Sequence, residues 1–562
     1  MDAQSLTTQS GPSNKTSSDE TCNSPPRKRV LVLVCGGGYT NAAPVLEIAS
    51  ILSTRGYEIE FGTLSGRDRW LKDWPFISRL HVLGNSAPWS VEEQAYINMC
   101  EWNADLIKNW RTVFETKAYI ESTWPEVYTS LKRVVQDKKS RPDFILADYW
   151  VEAARDVCLE HDIPLAMHWP QMPTNMLHSA HIPGIPGLQM EVITSEFATI
   201  WQRLKNAAAL PTALPQYLRY LRTTKKMRLT RGVTRMPAAL PKPEYLCLVN
   251  SFFGMEAAKD LPPNVVPIGP ILSKAYTPLT PQLDQFLATR HRVVYVSMGT
   301  HVIMTHERFC HILRGCMAAL DAGKVDGVVW AVESKNRSRL IQSELVYTSQ
   351  PTVTAAHDAN KLAKATVGDL INNAHPSLLF VDFAPQRALL YSSSVAIFVS
   401  HTGPASKNEA AFAGVPLISI PVYFDQIQYS MRARDAGVAL SFKKEKLTTH
   451  DITAAIFRIV DDIACQGPIS INVKRLSAIA QLTSKRKFLA ADLIEETLID
   501  WEGRKAERDF GVERPRGMHL QTADARMGWF KARNLDLWAL VGAAGLTVAG
   551  IVILAVVLPL KL

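Results

Sequence analysis

Two successive trains of short apolar runs, each run followed by a helix-length segment, set the fold class of this chain. In the first train Val30–Cys35, Glu58–Leu64, Phe144–Ala147 and Pro164–Met167 have the length and β-branched content of buried strands, while Pro44–Arg55 and Glu152–Glu160 have helical spacing. The pattern restarts near residue 290 with Val293–Ser297, Val328–Val332, Leu378–Val381, Ala396–Ser400 and Pro416–Ile420. Runs that are apolar on both faces suit a parallel sheet covered by helices on each side. Two such trains in 562 residues predict an α/β chain of two tandem Rossmann-like, doubly wound domains. The Pro-rich stretch Leu261–Thr280 marks the join, and residues 335–375 read as an insertion in the second domain. The expected division is an N-terminal domain over 27–265, a linker over 266–285 and a C-terminal domain over 286–500.

The two ends differ in kind. Residues 1–26 are rich in Ser, Thr, Asn and Pro without an apolar core, and are expected to be a disordered tail. Arg27–Arg29 before Val30–Cys35 mimics a signal peptide, but the apolar run is too short and Gly36–Gly38 ends it. At the other end, Leu537–Leu560 carries no charge across 24 residues. About 20 apolar residues cross a bilayer core as a helix. A single C-terminal transmembrane helix over 536–562 is therefore expected, preceded by a returning helix and juxtamembrane segment over 501–535. Trp529, Phe530 and Trp538 stand at interfacial positions, with Lys531 and Arg533 beside them. The corresponding localisation is a tail anchor in a membrane, by default the endoplasmic reticulum, with the body facing the cytosol.

The formal charge is +9, from 62 Lys+Arg and 53 Asp+Glu. Ten basic and no acidic residues lie between Trp201 and Pro243, so the excess is local. Such a stretch fits a surface resting on anionic lipid; no recognition motif accompanies it, and a nucleic-acid partner is not expected. The eight cysteines form no CxxC pair, which fits a reducing compartment and offers no metal site.

Ligands of doubly wound sheets bind beyond the carboxyl ends of the strands, so the residues just after each strand carry the chemistry. Ser297-Met298-Gly299-Thr300 is a small-residue turn suited to an anionic oxygen. The strongest signal is Phe383–Gln426, FAPQRALLYSSSVAIFVSHTGPASKNEAAFAGVPLISIPVYFDQ. Phe383-Ala384-Pro385-Gln386, His401-x-Gly403, Ser406, Glu409, Gly414-Val415-Pro416, Pro421 and Asp425-Gln426 resemble, in order and spacing, the nucleotide-sugar signature of the inverting UDP-glycosyltransferases. The resemblance implies the GT-B fold and a UDP-sugar as donor substrate, with no tightly bound cofactor. Beside Ser297, Gly299 and Thr300 of that turn, it puts His401, Gly403 and Ser406 on the diphosphate side, and Glu409 at the ribose hydroxyls. Phe383, Pro385 and Gln386 fall to uracil, and Asp425 and Gln426 to the sugar. Weaker resemblance runs through Leu248–Ser251, Pro262–Asn264 and Ile268–Pro270, and through Trp529–Leu537.

Two positions depart from the family pattern. Ala405 stands where an Asn is usual, and the His expected three residues before Pro44 is Asn41, with Tyr39 as the other candidate. In the family that His takes the acceptor proton and an Asp orients it; Asp148 matches the Asp. A neutral Asn takes no proton, and a Tyr with its pKa near 10 is a poor base at neutral pH. Several arrangements stay open. Asp148 itself can be the base; His168, His178 or His181 can replace the missing group; or the acceptor can be acidic enough to need little help. Trp102, Leu106, Trp110 and Phe114 recur every four residues as one expected helix face, part of which could line a lipophilic pocket. The sequence thus predicts a hexosyltransferase acting on a hydroxyl or carboxyl of a lipophilic small molecule, with inversion. The alternative is a catalytically silent, membrane-bound GT-B subunit or scaffold.

Overall fold

The computed structural model describes residues 27–103, 109–235, 242–333, 336–337, 340, 346–347, 365–514 and 516–557. The first lobe is built on seven parallel strands, β1 (Arg29–Leu33), β2 (Glu58–Leu64), β3 (Ile77–Gly84), β4 (Phe144–Asp148), β5 (Leu165–Trp169), β6 (Leu246–Val249) and β7 (Val265–Pro267), in the order β3-β2-β1-β4-β5-β6-β7. Strand residues alternate between two cores. Leu31 and Leu33 face one, with Trp124, Leu131 and Val157. Val30 and Val32 face the other, with Val45, Leu46 and Ile48. Period-2 alternation with both faces apolar is what a sheet sandwiched by helices requires.

The second lobe has β8 (Val293–Ser297) and β9 (Gly327–Ala331), then a small antiparallel pair, β10 (Val346–Tyr347) with β11 (Ala365–Thr366). It continues with β12 (Leu378–Val381), β13 (Val395–Ser400), β14 (Leu417–Ser419) and β15 (Ala439–Ser441). The parallel sheet runs β12-β9-β8-β13-β14-β15 around one large apolar core that includes Tyr295, Phe309, Trp330 and Phe398. Most of the predicted insertion, 335–375, lies outside the described residues, as does the N-terminal tail 1–26.

Strand order reverses between β1 and β4 in the first sheet and between β8 and β13 in the second. In doubly wound sheets the ligand crevice lies at such a switch point, beyond the carboxyl ends of the strands.

Three elements differ from expectation. The first helix spans Tyr39–Thr54, so Pro44 lies inside it rather than at its start. Gly37, at φ 67°, turns the chain straight out of β1, and a Cβ there would fall 2.3 Å from Asn41 Oδ1. The aromatic stripe is not one helix. Trp89–Glu101 ends as Trp102 adopts an extended ψ of 137°, a new helix begins at Trp110, and Leu106 lies outside the described residues. Trp102 turns instead to Phe424 of the second lobe, with ring centroids 5.2 Å apart. The return to the first lobe also starts before residue 501. The Lys487–Asp509 helix buries Ala490, Ala491, Ile494 and Leu498 against the first lobe, and the buried Lys487 ion-pairs with Glu47 at 2.6 Å.

Past this strap, the helix Leu535–Val557 is long and apolar enough to cross a membrane, and its Leu535–Ala555 span is not buried against the body.

Candidate active site

The residues expected on the donor side come together at the β8/β13 switch point. β13 ends at Ser400, and the chain turns through Thr402, whose φ of 60° is unusual for a β-branched residue. Ser400 Oγ accepts the Thr402 amide at 3.1 Å, and Thr402 Oγ1 bonds to Ser419 Oγ, so the neighbouring strands hold the turn. Gly403 then caps the Pro404–Ala413 helix in extended conformation. Pro404 opens that helix without an N–H, and the amides that follow it in the first turn have no intrahelical partner, an arrangement suited to a diphosphate.

His401 sits in the same turn, and two glycines make room for its ring. A Cβ on Gly299, at φ 75°, would fall 2.7 Å from its Cε1, and one on Gly403 would fall 2.4 Å from its Nε2. Burial and the nearby His301 push the imidazole down to about 4, so the ring is neutral at physiological pH. Its Nδ1 is buried with no hydrogen-bond partner among the described residues.

Gln386, Ser406 and Glu409 come together beside this turn. Gln386 opens the helix that follows Pro385 and donates from Nε2 to Glu409 Oε2 at 2.6 Å and to Ser406 Oγ at 3.2 Å. Its Oε1 accepts from the Tyr295 hydroxyl at 3.3 Å. Burial raises the Glu409 carboxyl, partly offset by Gln386 and Arg387. Phe383 is 71% exposed at the rim, and Gly299 and Thr300 are exposed in the turn after Ser297.

Asp425 heads the Asp425–Asp435 helix after Phe424, itself strained at φ 42°. Burial pushes its carboxyl up to about 6 despite its own and the Gln426 backbone amides, Arg432 and Lys407. The Gln426 side-chain carbonyl turns inward and accepts the Val422 amide at 2.9 Å and the Tyr423 amide at 3.3 Å, fixing the loop that presents Asp425.

The residues expected on the acceptor side lie at the β1/β4 switch point. Asp148, at the end of β4, is fully buried; its Oδ1 accepts the Trp150 amide at 3.2 Å and its Oδ2 accepts from Asn41 Nδ2 at 3.4 Å. Asn41 thus pairs with Asp148, and its amide has no basic site that could take a proton. His168 is paired in register with Asp148 on β5, and its Nδ1 is 3.6 Å from Asp148 Oδ2. It is 1% exposed and neither ring nitrogen has a hydrogen-bond partner among the described residues. Tyr39 is occupied elsewhere: its hydroxyl accepts from Trp74 Nε1 at 3.1 Å, and burial raises its pKa further. His178 and His181 sit on exposed loop positions away from this cluster.

Several groups that join the lobes carry no local sequence signal. The Tyr149 ring packs at a tilt against Trp150 and Trp169, with centroids 4.4 and 4.8 Å away; burial, then the charges of Asp425 and Asp148 from the two lobes, raise its pKa. Glu256 pairs with Arg432 at 3.1 Å and lies 3.9 Å from the fully buried Lys407, whose ammonium burial pushes down to about 8. Asn408 Nδ2 donates to the Asn250 carbonyl at 3.0 Å. These links hold the donor helix against the first lobe. Their partners are 150 or more residues apart, beyond the reach of any motif or periodicity.

Comparison with known proteins gives the family and the fold. The family model "UDP-glucoronosyl and UDP-glucosyl transferase" matches residues 89–481. The UDP-glycosyltransferase FPY2 of Fusarium mangiferae is 37% identical over 535 residues, 91% of this chain and 95% of that protein. A UDP-glycosyltransferase of Talaromyces amestolkiae is 39% identical over 515 residues, 91% and 94% of the two chains. Among solved structures, the glycosyltransferase of kitacinnamycin superposes with a TM-score of 0.58 at 18% identity, over 84% of this chain and all of that one. The calicheamicin glycosyltransferase CalG4 superposes at 0.54 with 17% identity, over 86% of this chain and all of that one. At such identities the structures attest the shared two-lobed GT-B architecture. The chain belongs to the UDP-glycosyltransferase family, whose members transfer a sugar from a UDP-sugar.

Proposed function

We propose that the protein moves a hexosyl group from a UDP-sugar to a hydroxyl or carboxyl of a lipophilic small molecule, with inversion at the anomeric carbon. The observation that carries this reading is the opposition of two half-sites: the His401 turn with the Gln386–Ser406–Glu409 cluster, and the Asn41–Asp148 pair. The helix amides after Gly403 take the diphosphate, with His401, Ser297, Gly299, Thr300 and Ser406 around it; Glu409 accepts the ribose hydroxyls. The Phe383–Gln386 segment meets uracil, and Asp425, with the Gln426-braced loop, the sugar. An acceptor held against the first lobe approaches the anomeric carbon from the side opposite the leaving diphosphate, and a single displacement from that side inverts it. The aromatic group Tyr149, Trp150 and Trp169 supports an apolar acceptor.

The membrane enters through Leu535–Val557 and through the start of the Ile200–Ala207 helix with the residues just before it, where Phe197 is 92%, Ile200 82% and Trp201 64% exposed. Of the ten basic residues between 201 and 243, Lys205, Arg228, Arg235 and Lys242 are ion-paired, and the last pairs with Asp524 in the juxtamembrane segment. We place the body on the cytosolic face of the endoplasmic reticulum; the free thiols of Cys35, Cys158, Cys247 and Cys316 support a reducing compartment.

The test is UDP release and product mass from the full chain in detergent or nanodiscs, with several UDP-sugars and a panel of phenols, sterols, terpenoid alcohols and fatty acids. A glycosylated product stoichiometric with UDP supports the reading. A folded sample that neither binds nor turns over any UDP-sugar fits the silent subunit instead.

A further inference from the structure

The missing base leaves a question that the fold answers from the other lobe. The turn after β8 continues past Gly299 and Thr300 to His301, which reaches across the cleft. A Cβ built on Gly38, the cap of the first helix, would lie 3.2 Å from His301 Cε1 and 3.4 Å from its Nε2. The Gly38 carbonyl accepts the Asn41 amide at 3.0 Å, so the imidazole lies close beside the turn that presents Asn41.

The ring is held by contacts of its own. It stacks on Tyr96 with centroids 4.6 Å apart and planes 9° from parallel. The Cys100 thiol donates to the His301 carbonyl at 3.8 Å and accepts the Ile303 amide at 3.2 Å. Tyr96 and Cys100 both belong to the Trp89–Glu101 helix of the first lobe, so the second-lobe turn is clamped from across the cleft. The ring nitrogens make no hydrogen bond among the described residues, whereas Tyr39, Asn41 and Asp148 are all engaged.

We propose that His301 is the general base of the transfer, a histidine supplied by the donor-binding lobe in place of the acceptor-lobe histidine that this chain lacks. This rests on the function proposed above. The acceptor O–H gives its proton to the imidazole. The oxygen forms the new bond to the anomeric carbon while the bond from that carbon to the diphosphate oxygen breaks, and UDP leaves with the electron pair. Asn41 and Asp148 then position the acceptor. Glu92 and Arg67 of the first lobe and His401 of the second are the charged or titratable groups around the ring, with Tyr96 and Cys100 packed on it. Burial lowers the His301 pKa, Glu92 opposes this and Arg67 adds to it, so the ring stands neutral near pH 7, the form a base requires.

The experiment compares wild type, His301→Gln and the double variant His301→Gln/Asn41→His on a UDP-sugar that wild type uses. The acceptors are 4-nitrophenol, which is acidic, and an aliphatic alcohol, which is not. With the alcohol, His301→Gln should lose about 10²–10⁴-fold in kcat/KM. With 4-nitrophenol the loss should be much smaller, and the acidic limb of the pH profile should vanish. UDP binding should stay within about threefold, and the double variant should regain activity on the alcohol. An unchanged pH profile and an equal fold-loss on both acceptors would overturn the proposal. So would parallel loss of UDP binding and turnover, which would make His301 a packing residue. If wild type gives no product on any acceptor, the function reading fails first and takes this inference with it.

Discussion

Asp425→Asn separates the stability of the donor site from its use. The Asp425 carboxyl is buried where its own and the Gln426 amides reach it, and its pKa rises from 3.8 to about 6. The folded state therefore holds a proton that the unfolded chain releases, and wild type loses stability as pH rises through roughly 4 to 6. One pKa unit corresponds to about 1.4 kcal/mol, so the loss between pH 4 and 7.5 is roughly 2–3 kcal/mol. Asparagine keeps the shape and cannot ionise. Whatever constant offset the amide introduces, the stability of Asp425→Asn relative to wild type should increase by that amount over this window. Urea unfolding of both proteins at several pH values gives the difference directly. Affinity for UDP alone should be retained, while KM for the UDP-sugar rises, because the carboxylate is the sugar-side acceptor in the proposed site. A difference in stability that stays flat from pH 4 to 7.5 would refute the burial argument.

His401 should behave with the opposite sign. Its folded pKa of about 4 means that stability is present above pH 6.5 and is lost as pH falls toward 4. The deficit of His401→Gln relative to wild type should therefore shrink by about 3 kcal/mol on acidification in the same urea series. Glu409→Gln should weaken UDP binding about ten- to hundredfold by calorimetry, the loss expected for a charged hydrogen-bond acceptor, with unfolding little changed. Glu256→Gln strands Arg432 and Lys407 in the lobe interface and should cost about 3–5 kcal/mol in chemical denaturation. Gly315→Ala places a Cβ 2.6 Å from the Cβ and Cγ2 of Ile452, so the His306–Asp321 helix must move off its neighbour; a loss of about 1–3 kcal/mol is expected, seen as a lower Tm.

The donor half of the site was legible because it is local. From Phe383 to Gln426 the chain runs helix, strand, turn, helix and strand, and the residues proposed for the donor lie after strand ends or in the helices that follow them, at a spacing the elements themselves impose. Gln386 and Glu409 are 23 residues apart and meet because a short helix and the helix after His401 leave the same edge of the sheet. The acceptor half was only partly legible. Asp148 could be placed at the end of an apolar run and Asn41 by counting from Pro44, yet the counting misjudged where the helix begins. An aromatic repeat at helical spacing hid a break at Trp102, because periodicity records which residues are apolar and is silent on where the chain turns between them.

The sequence by itself determined the number of lobes, the parallel winding of both sheets, the donor-side turns and the apolar C-terminal helix. Each follows from patterns within a few dozen residues, where burial and backbone geometry act along the chain. Only the tertiary structure decided what faces what across the cleft. His301 against Gly38 joins positions 263 residues apart. Lys407 and Arg432 converge on Glu256, and the Lys487–Asp509 helix straps the second lobe back onto the first. Such contacts depend on the relative placement of two separately folded sheets, set by the sum of many weak packing terms over the interface and by no single stretch of residues.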